Sequence, residues 1–205
     1  MYLTSFASGF INNKSLKRLR LQCCGLTDEG VRSLVQNLDN NPELTTIDFG
    51  QGSYAETPPQ GMQYNQVGDG AAQALAELVQ KTPIKYLDIS YSTMSQAGLN
   101  LILDAVRLSP TILYLDATPL GDGGEDAQSV AVRDEARRLH GLVRERLHAN
   151  VEREYGLEYV EFEREHKRFL LDPPEARLVD SVYRNRDPSP ERQGLKTVEK
   201  WWMED

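Results

Sequence analysis

The chain predicts an α/β fold: a short solenoid with parallel strands on its concave face, helices on its convex face and a helical C-terminal cap. Three observations predict it. An apolar triplet at Leu16, Leu19 and Leu21 recurs 28 residues on as Leu44, Ile47 and Phe49. It recurs again as Ile84, Leu87 and Ile89, which is 28 residues plus an insertion of 12, and after a further 28 as Ile112, Leu115 and Ala117. Each of the first three triplets is followed by a turn and then by apolar residues at helical spacing, first seen in Val31, Leu34, Val35 and Leu38. A single unit of strand, turn and helix leaves its apolar edges open, and stacking successive units covers them.

The first unit carries the pattern LxxLxLxxCxL intact from Leu16 to Leu26. This segment and the 28-residue period resemble the leucine-rich repeat family, in its ribonuclease-inhibitor-like subclass, over Ser15 to Leu120. The resemblance implies a horseshoe-like solenoid; it implies no enzyme and names no partner. Counted from the strands, the position of Cys24 is held by Gly52, Ser92 and Leu120, which predicts an irregular polar ladder through the turns.

In chain order, residues 1–14 place Leu3, Phe6 and Phe10 at helix-like intervals and are read as an N-terminal cap on the open end of the stack. The first helix starts near Thr27 or Asp28, either of which can accept free amide hydrogens of the first turn. It ends before Asn40, Asn41 and Pro42. The repeats span 15–124 and contain an insertion at 50–66, rich in Gly, Pro and Gln. That loop leaves the stack at the concave rim, where Tyr54, Met62 and Tyr64 either contact a partner or pack on their own repeat. Helix 70–80 is Ala-rich and suited to close stacking, and a third helix covers 97–108.

Residues 125–205 form the C-terminal region. Over 126–154, Val132, Ala136, Leu139, Val143, Leu147 and Val151 make one helical stripe. The helix is expected to close the stack; pairing with a partner helix is the alternative, although no strict heptad is sustained. Leu157, Val160 and Phe162 repeat the triplet offsets and predict a fifth strand. Asp172 and Pro173 open a helix to about Tyr183. Trp201 and Trp202 can anchor the tail on the body or on a partner.

Composition narrows the function. The formal charge of −8 disfavours nucleic acid as a partner, and no apolar run reaches membrane-spanning length. Cys23 and Cys24 are adjacent and, in a strand, would point to opposite faces. That argues against a bond between them and for a reducing, cytoplasmic setting. No CxxC or Cys/His cluster suggests zinc, and no GxSxG or phosphate-binding loop is present. His140 and His148 lie two helical turns apart, too far for a tight pair, and His166 stands alone. The expectation is a protein without catalytic activity, cofactor or metal.

Alternation along the strands aligns exposed residues in columns across the concave face. One reads Arg20, Asp48, Asp88, Asp116 and, with the fifth strand, Glu161. Beside it run Arg18, Thr46, Tyr86, Tyr114 and Tyr159, and then Gln22, Gly50, Ser90 and Thr118. Neighbouring carboxylates raise one another's pKa unless a cation neutralises them, and tyrosine rings offer large amphipathic contact area. This face predicts a protein-interaction module for a basic or polar protein or peptide. The rival reading is a structural subunit of a larger assembly, held by the long helix and by Trp201 and Trp202.

Overall fold

The computed structural model describes residues 9–10, 13–38, 41–50, 63–118 and 130–165. Leu3, Phe6, Tyr54, Met62, His166, the helix expected from Asp172, and Trp201 and Trp202 lie outside the described residues. One compact unit, Met1–Arg164, contains everything described below except the last residue of the final helix.

Four strands alternate with helices in chain order: β1 (Arg18–Arg20), α1 (Asp28–Leu38), β2 (Thr46–Asp48), α2 (Asp69–Lys81), β3 (Tyr86–Asp88), α3 (Gln96–Leu108) and β4 (Tyr114–Asp116). The long helix α4 (Val130–Tyr155) and the short α5 (Tyr159–Glu165) follow. The strands form an open parallel sheet in the order β1-β2-β3-β4, each joined to the next by a helix. This is the leucine-rich repeat type of solenoid. The middle residues Leu19, Ile47, Leu87 and Leu115 stand in register. They head a core in which Leu34, Leu75, Ile102 and their helical neighbours fill the space between sheet and helix layer. Each fully buried Leu or Ile contributes about 1.5–3 kcal/mol by leaving water.

Helix starts are built from the expected residue types, with one exchange of roles. Thr27 receives the Gly30 amide at 3.4 Å and Ser95 receives that of Gly98 at 3.2 Å, so these hydroxyls cap α1 and α3. Asp28 instead reaches the next repeat, accepting from the amides of Gly68 at 2.6 Å and Gly70 at 3.1 Å. Asp69 repeats the reach, accepting from Ser95 N–H at 2.8 Å. A Cβ at Gly70 would come within 2.5 Å of the Asp28 carboxylate, so this close approach requires glycine.

The polar ladder through the turns is irregular, as expected: Ser92 Oγ is buried without a hydrogen-bond partner among the described residues, while one rung is fully made. Buried Asn65 accepts from the amides of Cys24 and Leu26 and donates to the carbonyls of Leu21 and Phe49, at 2.8–3.0 Å. The insertion separates strand from turn, so Asn65, not Gly52, occupies the place of Cys24. Cys23 and Cys24 lie in this turn, past the end of β1. Cys23 is buried with φ 49° while Cys24 is exposed, and both are free thiols.

α4 closes the stack. Leu139, Val143 and Leu147 join the core, Val151 is buried, and Val132 is half-buried. The helix also satisfies carbonyls left open where α3 ends. Fully buried Asn150 donates to Ser109 O at 3.0 Å and Ile112 O at 2.8 Å. Arg146 donates to Arg107 O at 2.8 Å and Arg153 to Pro110 O. The stripe is therefore spent inside the chain. At the other end, Phe10 packs against the core.

The expected fifth strand is not formed: Tyr159–Glu165 is helical. Gly156, at φ 68°, ends α4 with its amide bonded to Glu152 O at 2.7 Å, and the chain turns into a second helix. Tyr159 and Phe162 are three apart, a spacing that serves a helix as well as the strand offsets do. The run Glu158, Glu161, Glu163 favours the helix.

Candidate functional site

The sheet register brings the first column together. Arg20 pairs with Asp48, Asp48 with Asp88 and Asp88 with Asp116 across successive strands. The second column is equally in register through Arg18, Thr46, Tyr86 and Tyr114, but it is not the exposed row that alternation predicts: Thr46, Tyr86 and Tyr114 are buried. Glu161 leaves the first column because it lies on α5, and Tyr159 leaves its strand position for the same reason.

Exposure along the row is graded rather than uniform. Asp48 is 2% exposed and Asp88 6%, whereas Asp116 is half-buried and Arg20 exposed. The buried pair lies on the interior strands β2 and β3, and the accessible ends lie on the edge strands β1 and β4; each aspartate also accepts the amide hydrogen two residues on. Gly50 N–H reaches Asp48 Oδ1 at 3.2 Å, Ser90 N–H reaches Asp88 Oδ1 at 2.9 Å, and Thr118 N–H reaches Asp116 Oδ1 at 3.2 Å. The spacing Asp-x-Gly/Ser/Thr is a turn-closing motif repeated three times. It is the signal in the sequence that shows all three carboxylates to close their own turns.

Electrostatics couple the row. Burial, then the charge of Asp88, push the Asp48 carboxyl from an ordinary 3.8 to about 7; the Gly50 amide, Arg20 and Gln22 pull the other way. Burial raises Asp88 as well, opposed by hydrogen bonds from Ser90, with Asp116 adding to the rise. Tyr86 donates its hydroxyl to Asp88 Oδ2 at 3.1 Å, and burial beside Asp88 holds that phenol above its usual range. Tyr86 and Tyr114 stack with centroids 4.8 Å apart and planes 7° from parallel. Burial, Glu163 and Tyr114 raise Tyr159, so the tyrosine row continues onto α5. There Tyr159 stacks on His148 at 4.8 Å. Tyr64 is half-buried at the return of the insertion.

With this geometry in place, the likenesses to known proteins are informative. A family model described as Leucine Rich repeat matches residues 12–35. The ribonuclease inhibitor of Sus scrofa is 27% identical over 110 residues, covering 52% of this chain and 21% of that protein. The chain thus spans about a fifth of that relative's length. The C-terminal domain of Caenorhabditis elegans tropomodulin shares the fold at a TM-score of 0.53 and 15% identity, over 75% of this chain and 95% of that one. The leiomodin-1 actin-binding site 2 does so at 0.53 and 11%, over 76% and 91%. The chain contains a leucine-rich-repeat-like region with weak homology to a ribonuclease-inhibitor-type protein.

Among the described residues no group of three or more His, Cys, Asp or Glu side chains is placed to hold a metal ion, and no helix is long and apolar enough to cross a membrane. The chemistry on offer is an acidic surface with Tyr159 partly accessible beside it. Its accessible members are Arg20, Asp116, Thr118 and Tyr159, with Glu161 and Glu163 on α5.

Proposed function

We propose that this chain is a non-catalytic protein-interaction module that holds a basic segment of a partner protein against the open end of its carboxylate row. The observation that carries this reading is the register of Asp48, Asp88 and Asp116. Adjacent carboxylates raise one another, and Arg20 offsets only the Asp48 end. A cationic side chain arriving beside Asp116 gains from that carboxylate, and gains more as rising pH removes the protons of its buried neighbours. Half-buried Tyr159 supplies ring surface next to that charge, with buried Tyr114 behind it.

Buried Asp48 and Asp88 act in this reading by shaping the turns and setting the field, while Asp116 and Glu163 make the contact. The homology to a ribonuclease-inhibitor-type protein supports an interaction role in general and specifies no partner. Cys23 and Cys24 fit a reducing compartment, in which both remain thiols.

The test is fluorescence anisotropy of the full chain with a labelled Lys/Arg-rich peptide. The expected result is saturable, salt-sensitive binding that weakens about tenfold, roughly 1.4 kcal/mol, in Asp116→Lys combined with Glu163→Lys. Absent binding, or an affinity unchanged by the charge reversal, contradicts the proposal.

A further inference from the structure

Parallel strands bond through alternate residues on each side, and the pattern in β4 fixes which of its peptide groups face outward. Tyr114 N–H donates to Lys85 O at 3.0 Å, Ile89 N–H to Asp116 O at 2.8 Å, and Tyr91 N–H to Thr118 O at 2.5 Å. Tyr114, Asp116 and Thr118 therefore turn toward β3, and Leu115 and Ala117 turn to the outer edge. β4 is the last strand of the sheet, and these outward groups have no hydrogen-bond partner among the described residues. The stretch that repeats the strand offsets, Leu157 to Phe162, does not add a strand there, since it turns into α5.

A groove of about 670 Å³ lies between this edge and α4. Its floor is Leu103, Leu115, Val143 and Leu147; Asp116 stands at the sheet rim, His140 and Arg144 at the helix rim. Gly141 forms part of the helix wall, and a Cβ added to it meets nothing within 4 Å. No contact in the described chain asks for glycine here, and mid-helix glycine costs about 1 kcal/mol relative to alanine. Open space therefore lies over α4 at this position.

We propose that an extended segment of the basic partner enters this groove as a fifth strand, bonded to the outward peptide groups of Leu115 and Ala117. This inference rests on the reading above and adds the mode of docking. Side chains of an added strand alternate between faces. Those level with Leu115 point inward and must be apolar to cover Leu115, Val143 and Leu147. Those level with Asp116 point to the concave side, where lysine or arginine extends the row beyond Asp116. Arg144 and His140 on the inward side disfavour the opposite register, which would bring cations against them. The recognised chemistry is thus an apolar–basic alternation, not basic charge alone.

The experiment uses the full chain and a labelled peptide of alternating Val and Lys, followed by anisotropy and by amide hydrogen exchange. Expected are saturable binding and slowed exchange at Leu115 and Ala117. Gly141→Leu fills the groove and Ala117→Pro removes an outward N–H that an edge strand can spare; each is expected to weaken binding at least tenfold. If Asp116→Lys weakens binding while exchange at Leu115 and Ala117 is unchanged and Gly141→Leu has no effect, the basic partner lies on the open sheet face. That outcome overturns the fifth strand and leaves the proposed function standing. Absence of saturable binding overturns both. Protection of the two amides without peptide, including protection that rises with protein concentration as for a second copy, also overturns the assignment.

Discussion

Gly50 shows how closely the carboxylate row is fitted. A Cβ there would lie 2.1 Å from Asp88 Oδ1 and 2.6 Å from Ser90 Oγ, so Gly50→Ala must displace the turn that Asp88 closes. The expected cost is about 1–3 kcal/mol, read from a denaturant midpoint. Asp48 sets a pH dependence. In the folded chain it keeps its proton up to about pH 7, while an ordinary aspartate loses it near 3.8. The folded state therefore binds more protons than the unfolded state between those values, and stability falls as pH rises through that window. Raised Asp88 acts in the same sense. The loss is on the order of 2–4 kcal/mol between pH 4 and 8. Asp48→Asn keeps an acceptor for the Gly50 amide and should flatten the profile, leaving the variant more stable than the parent at pH 8. Urea melts across that range check both statements.

At the scale of elements, the four strands and the first three helices were legible because their apolar residues repeat at fixed offsets. The long helix was legible from its stripe. Its second role was not, since nothing local marks Asn150 as the donor to Ser109 O and Ile112 O. Asn150→Leu keeps the branched shape, adds bulk at a fully buried site and strands both carbonyls. The expected destabilisation is about 2–4 kcal/mol, with helicity of α4 retained by circular dichroism. Asn65 was missed because the insertion moved the turn relative to its strand. Counting back from Val67, the partner of Leu26 in the repeat, rather than forward from Phe49, would have found it. α5 was misread because offsets of 0, 3 and 5 serve either secondary structure, and Gly156 decides between them by ending α4. The aspartate row follows the expected register, but alternation alone does not separate the interior strands, where Asp48 and Asp88 are buried, from the edge strand that leaves Asp116 half-buried.

For the whole molecule, stacking converts one local motif into a continuous surface: each βα unit adds a turn-closing carboxylate beside the last. Among the described residues α4 covers the core end while the outer edge of β4 carries no further strand, and both proposed contacts meet there at Asp116. The proposed contact surface requires the strands to hold Asp48 and Asp88 side by side under cover. The most direct measurement is a carbon-13 NMR titration of the aspartate side-chain carboxyls in the full chain. It should give Asp48 a midpoint of about 7, dropping in part but not to an ordinary value in Asp88→Asn, because burial is the larger cause. A midpoint near 3.8 for Asp48 in the parent chain would contradict the register and the burial together.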